Sequence, residues 1–369
     1  MSLLIPLLLS AAAVLGASID SDDRNEWKHA KPGYQYRFPQ DHASHPDYAL
    51  EWWYYTGNVG TEEGQLFGYQ LTFFRIGLEF VPANPSRWAV RDLFAAHLAV
   101  SDLTHGQFHF AEKMNRAGIG WAGAATDTYR VWNEEWEARL DPPNTHRLRA
   151  GSRELGIELE LLEAAAPVIH GEDGISRKGK TADNASHYYS LTRMPTRGRI
   201  YLQDQIFQVE GQSWMDHEFG TTFLEDHQLG WDWFSIQLDN KVDLMVFQLR
   251  RADGGIDTNS SGTLVLEGGK AVPIRNGEFT LEPLRIWESE SGARYPVSWR
   301  VSIPKKGISL IVEAALDNQE LRTTTTDVTY WEGSTRIRGT WQGQPITGKG
   351  YLEMTGYTGQ PMGRVMGGE

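Results

Sequence analysis

There is no cysteine in the 369 residues. This excludes disulfides, a thiol nucleophile and thiolate metal ligands, and it removes the cysteine that a bacterial lipoprotein needs at its cleavage site. Basic runs are missing as well, and the formal net charge is −13, which argues against nucleic acid and against electrostatic docking on anionic lipid. Helical periodicity is sparse: 155–166 alternates with period two, and only 316–323 suggests a turn of helix. No G-x-S-x-G elbow, dinucleotide fingerprint or phosphate-binding loop occurs, so no cofactor is expected and a serine hydrolase of that type is unsupported. Beyond the first residues, no segment is long and apolar enough to span a bilayer.

What the chain has in quantity is aromatic residues. Fourteen Trp, fourteen Tyr and fourteen Phe favour strands, and they line ligand cavities as readily as they fill cores. The length allows about two domains, each large enough to fold without covalent staples. The opening MSLLIPLLLSAAAVLGAS carries an apolar stretch from Leu3 to Leu9 and small residues near Ala17. It predicts a signal peptide over 1–19 and hence an exported protein, periplasmic or secreted, although no Lys or Arg precedes the apolar stretch. A polar lead-in over 20–40 should follow.

From residue 41 onward the pattern is short strands separated by turns. Glu51-Trp52-Trp53-Tyr54-Tyr55 and 66–74 read as an antiparallel hairpin, and 93–103 as another strand. Gly171 to Ala185 reads as a polar loop, with strand character resuming at His187-Tyr188-Tyr189. Asp239-Asn240 suits a two-residue hairpin turn, which would set Leu238 opposite Lys241 and Gln237 opposite Val242. Many strands and few helical windows indicate an all-β protein of two similar antiparallel barrels, expected at 41–210 and 211–369.

Residues 211–249 concentrate the chemistry. Trp214, Trp231 and Trp233 lie among Asp216, His217, Glu218 and Asp232. An apolar neighbourhood disfavours ionised carboxyl groups, so such an acid can hold a proton near neutral pH, and aromatic faces can steady a developing cation. Asp216 and Glu218 share one strand face, with His217 opposite. These three acids, Asp216, Glu218 and Asp232, are the catalytic candidates. The competing reading is structural, with the acids accepting hydrogen bonds from indole N–H groups. Glu51, Trp53, Tyr55 and Tyr188 join Trp214, His217, Trp231 and Trp233 as candidate ligand contacts. Asp41, His42, His45 and Asp47 resemble metal ligands by type, but loop-fixing hydrogen bonds are the preferred reading and no metal is expected.

The segments DHASHPDYALEWWYYTGNV, GYQLTFFR, AHLAVSD, ASHYYSLTRM, SWMDHEFG, GWDWFSIQLDN, YWEGSTRI and GYLEMTGY, in that order, resemble the AttH/carotenoid 1,2-hydratase family over about 41–357. The resemblance implies two consecutive lipocalin-like (calycin) β-barrels that enclose apolar ligands, and a link to lipid or isoprenoid metabolism. It also implies an ABC transporter of the AttEFG type as a partner, or, on the hydratase branch, an aspartate that protonates a polyene double bond. The family's acid-aromatic motifs fall on Trp214, Asp216, Glu218, Trp231, Asp232 and Trp233; His217 stands where relatives often carry Arg. Three functions follow as expectations: a hydrophobic-ligand binder first, an acid-catalysed hydratase or isomerase second, and a glycan-binding or glycoside-hydrolysing protein third.

Overall fold

Extended strands make up nearly every element of the computed structural model, which describes residues 26–84, 86, 88–181, 184–221 and 224–359. Among them no α-helix occurs; two three-residue 3-10 turns, Gln40–His42 and Pro304–Lys306, interrupt the strands. The turn of helix expected at 316–323 is instead loop and the short strand Glu320–Arg322. No helix of the described residues is long and apolar enough to cross a membrane. The expected signal peptide lies outside the described residues.

The strands form two antiparallel sheets, one of thirteen and one of ten strands. In the first, Leu50–Gly60 pairs with Leu66–Gly77 on one side and with Gln205–Gly220 on the other. The first and last strands of that half therefore meet, and the sheet curls until Asn133 Nδ2 donates to the Phe94 carbonyl at 3.0 Å. The second sheet repeats the scheme, with Gln228–Leu238 between Asp243–Arg251 and Gln344–Thr355. These are the two lipocalin-like barrels expected. The expected division at 210/211 needs correction: it falls inside Gln205–Gly220, which stays in the first sheet to its end, and the second sheet begins at Gln228. That strand cannot be cut, because residues 213–220 are buried on both faces.

Inward-facing side chains fill both barrels. Leu71, Phe73, Leu98, Leu161 and Met215 belong to the first core, and Phe234, Ile236, Leu244, Val297 and Leu352 to the second. Burying each contributes about 1.5–3 kcal/mol. From the lead-in, Tyr36 and Phe38 pack against the first core.

Two hairpins set the registers that matter. Gln203 and Asp204, at φ 49° and 66°, make a two-residue turn between Leu202 and Gln205, as both-positive φ allows. The hairpin at 239 differs from expectation by one residue. Lys241, at φ 64°, joins the turn and donates to the Leu238 carbonyl at 3.0 Å, so Gln237 faces Asp243 and Trp233 faces Phe247. One added residue exchanges every partner across a strand pair. As a result Trp231, Trp233, Met245, Phe247 and Leu249 lie on the face turned to the first barrel, and Phe234, Ile236, Leu244 and Val246 fill the second.

The barrels meet along their 50–77 and 330–355 strands. Asn58 Nδ2 donates to the Gly350 carbonyl at 3.1 Å, and Ser101 Oγ to Gln319 Oε1 at 2.6 Å. A Cβ on Gly68 would come within 2.7 Å of Ser334 Cβ, so only glycine permits this approach.

Candidate functional site

Strand alternation divides each interface strand into a core face and an outward face. On Leu50–Gly60, Trp53 and Tyr55 point into the first core, and Trp52 and Tyr54 turn toward the second barrel. On Gln205–Gly220, Met215 points into the core while Trp214 turns outward, and Asp216 and Glu218 share its face. The two outward faces, with Trp231, Trp233 and Phe247 of the second barrel, enclose a cavity of about 90 Å³. Thr72, Phe74 and Leu249 complete its apolar wall, and Tyr330, Glu332 and Glu353 approach from the second barrel's last strands. A larger open groove, of about 1060 Å³, lies on the outer wall of the first barrel. There Arg147 and Arg197 both pair with Glu160, which makes it a solvated charged trough rather than a binding hollow.

Asp216 is 4% exposed and is held by three donors. Trp214 Nε1 reaches Oδ1 at 2.6 Å and the Tyr188 hydroxyl reaches Oδ2 at 2.9 Å; Ser190 Oγ donates to Oδ1 as well. Trp233 Nε1 donates to the Tyr188 hydroxyl at 3.0 Å, so both barrels orient this carboxyl. Behind it, His170 bridges Ser190 Oγ at 2.6 Å and Thr263 Oγ1 at 2.8 Å. Burial pushes the Asp216 pKa up to about 7 despite the three donors. Glu218, on the same wall, is paired with Lys178 at 2.9 Å and with Ser186. Lys178 Nζ lies 4.7 Å from the centre of the Phe247 ring. Asp216 and Glu218 thus sit side by side on one wall, each with its own partners.

Two further acids complete the site. Glu332 is fully buried; Oε1 accepts from the Tyr54 hydroxyl, and Oε2 has no hydrogen-bond partner. Burial, then the charge of neighbouring Glu353, raises its pKa well above the ordinary carboxyl range. Glu353 is raised to about 7, by burial first, against a hydrogen bond from Trp231 that favours the anion, and then by Asp216 and Glu218. Burial thus favours the protonated form of all three acids, Glu332 most strongly.

The other sequence candidates lie elsewhere. Asp232 is turned toward the second barrel's interior and bonds to Gln248 Nε2 at 2.8 Å, Tyr357 at 2.9 Å and Arg250 at 3.2 Å. It does not line the cavity. His217, Glu51, Trp53 and Tyr55 are on the first barrel's core side. His217 Nε2 bonds Glu51 Oε1 at 2.9 Å, and the Trp53 ring stacks on the His217 imidazole at 5.0 Å. Glu51 pays for burial through bonds from His217, His45 and Arg75, which hold it ionised well below the usual range. Of the named ligand contacts, Tyr188, Trp231 and Trp233 line the hollow; Trp214 reaches it through its bond to Asp216. Sequence reasoning missed Glu332 and Glu353. The signal was an acid beside aromatics in Tyr330-Trp331-Glu332 and Tyr351-Leu352-Glu353, the same grammar as Trp214-Met215-Asp216.

The AttH-like family profile matches residues 29–357. The chain belongs to the AttH-like family. Its fold is similar to that of NE1406, a protein from Nitrosomonas europaea assigned to AttH. The two are 32% identical, with a TM-score of 0.80, over 89% of this chain and 99% of that one. Kievitone hydratase from Nectria haematococca shares the fold at 14% identity and a TM-score of 0.68, over 90% of this chain and 97% of that one. CghA does so at 12% identity and a TM-score of 0.51, over 85% and 90%. No curated protein matches the chain in sequence.

The raised Asp216 pKa carries a stability consequence. Its carboxyl binds a proton more tightly folded, with a pKa near 7, than unfolded, near 3.8. The stabilisation this gives is present below pH 4 and is lost as pH rises through 7, at roughly 1.4 kcal/mol per unit. Asp216→Asn cannot ionise, so its urea midpoint should fall less than the wild-type midpoint between pH 5 and 8. Parallel slopes for the two proteins would refute the assignment.

Proposed function

We propose that the protein takes a hydrophobic, unsaturated molecule of the isoprenoid or lipid kind into the cavity between its barrels and adds water across a carbon–carbon double bond, or removes it. The observation that carries this reading is the buried Glu332 carboxyl, with one oxygen unpartnered, lining the same aromatic hollow as Asp216; burial favours its protonated form. Glu332 gives its proton to one alkene carbon, forming a C–H bond at the expense of the π bond. The cation left on the neighbouring carbon faces the rings of Trp52 and Trp233, each contributing about 0.5–2 kcal/mol. Water adds to it, and the proton it sheds passes to the Asp216 carboxylate; proton exchange with solvent then reprotonates Glu332 and deprotonates Asp216. The net change is alkene plus water to alcohol, and the same groups serve the reverse reaction. Fixing Asp216 from both barrels keeps the base in place and limits reorganisation during the reaction.

A hydratase among the structural neighbours supports the reaction class, and the aromatic lining of the cavity supports the apolar ligand. The test is to incubate the protein with a panel of acyclic isoprenoid alkenes and unsaturated fatty acids in ¹⁸O-water and read hydroxyl incorporation by mass spectrometry. Enzyme-dependent incorporation into at least one class is expected. Binding of the panel without any incorporation would leave a carrier and remove the catalytic reading.

A further inference from the structure

Within the first barrel, on the far side of the strands that wall the cavity, three residues distant in sequence converge. His42 ends the 3-10 turn Gln40–His42, His146 lies in Thr145–Gly151, and Glu163 directly follows Leu155–Leu162. His42 Nε2 is 3.4 Å and His146 Nε2 is 3.6 Å from the same oxygen, Glu163 Oε2. Both imidazoles are 0% exposed, and neither Nε2 has a hydrogen-bond partner.

Their other ring nitrogens are fixed. His42 Nδ1 meets the Tyr189 hydroxyl at 2.7 Å, and His146 Nδ1 meets the Tyr55 hydroxyl at 2.9 Å. The Tyr189 hydroxyl has two other acceptors for its proton, His217 Nδ1 at 3.0 Å and the Asp41 carbonyl at 3.2 Å, which leaves its oxygen able to accept the Nδ1 proton of His42. In that tautomer Nε2 has a free lone pair on the side of Glu163. Orienting the ligating nitrogen through a bond to the other one is how proteins prepare histidines for a metal.

We propose that His42, His146 and Glu163 bind a divalent transition-metal ion, Zn²⁺ being the best match for two imidazoles and one carboxylate. Ligands about 2.0–2.1 Å from a tetrahedral ion sit about 3.4 Å from one another. Separations of 3.4 and 3.6 Å fit that spacing and exceed the usual hydrogen-bond range. The partly exposed Glu163 side chain leaves a fourth position within reach of water. A neighbouring trio, His45, Glu51 and His217, is built differently. Its nitrogens bond the same Glu51 oxygen at 2.9 Å, and the Arg75 guanidinium occupies the other oxygen at 3.1 Å. That group is a satisfied ion-pair network whose cation would repel a metal.

The ion would tie the lead-in to the barrel wall. It would also brace Tyr55 and Tyr189, whose chain neighbours Tyr54 and Tyr188 line the cavity on the opposite face. The test uses the chelator-stripped full chain, titrated with ZnCl₂ by calorimetry and with CoCl₂ by visible absorption. One ion per chain is expected, with tetrahedral cobalt bands. Glu163→Gln and His146→Gln should abolish high-affinity uptake, and Tyr189→Phe should weaken it about 10–100-fold, while His45→Gln should bind as wild type. Circular dichroism checks the fold of each variant, and Glu163→Gln, at the partly exposed position, keeps the test decisive if His146→Gln misfolds. No uptake by the wild-type chain, or uptake unaffected by Glu163→Gln, would overturn the assignment.

Discussion

Glu332→Gln is expected to slow alkene hydration by about 10²–10⁴-fold while leaving the affinity for the apolar ligand within a factor of a few. Gln matches Glu in size and can still accept from the Tyr54 hydroxyl, so the wall of the cavity keeps its shape. What is lost is the transferable proton. In the wild-type protein, burial first and then the neighbouring Glu353 raise the pKa of the carboxyl and so favour its holding that proton. Asp216→Asn should give a comparable loss by removing the base, with one difference. Asn still accepts from Trp214 and Ser190 through its one amide oxygen and loses the bond from Tyr188, and it cannot take a proton from water, so addition should suffer while trapping of the cation by an added strong nucleophile survives. Single-turnover rates for the two variants, measured beside ligand affinities, separate chemistry from binding. Full turnover in Glu332→Gln would remove it as the acid.

The second large effect is on stability. Arg75 is 2% exposed, and its guanidinium bonds Glu51 at 3.1 Å, Asp92 at 3.0 Å, and the His45 and Tyr48 carbonyls at 3.0 and 2.6 Å. Arg75→Met keeps much of the volume and removes the guanidinium donors from all four acceptors. Removing one partner of a buried ion pair costs about 3–5 kcal/mol. The lower end is expected here, because Glu51 retains His45 and His217, and Asp92 retains Arg91 at 2.9 Å. Urea unfolding should show the midpoint falling with little change in slope. A variant within 1 kcal/mol of wild type would mean that the surrounding groups re-pair without Arg75.

Much of the fold was legible because strand signals are local. Aromatic and β-branched alternation located the hairpin at 50–77 and put Asp216 and Glu218 together with His217 opposite, although the long strand that carries them, Gln205–Gly220, was expected to be divided at 210/211. Parity was the harder problem. In Leu50–Gly60 both faces are aromatic and almost every residue is buried, since one face fills a barrel and the other meets a second barrel. Hydrophobicity could not say that Trp52 and Tyr54, rather than Glu51, Trp53 and Tyr55, turn to the cavity. The same ambiguity brought Asp232 into the expected site, although Arg250 holds it on the other side of its strand. At 238–242, positive φ at Lys241 lengthened the turn, which no propensity for Asp-Asn could reveal. Glu332 and Glu353 come from strands more than 110 residues beyond Asp216, and only the pairing of Gln344–Thr355 with both its neighbours brings them to it.

The most direct test of the inter-barrel site is a crystal structure of the protein soaked with cis-parinaric acid, a conjugated polyene whose fluorescence also reports binding in solution. Density for the chain is expected between Trp52 and Trp233, with its unsaturated carbons within contact of Glu332 and Asp216. Density confined to the interior of either barrel or to the outer groove, with the space between Trp52 and Trp233 unoccupied, would contradict it.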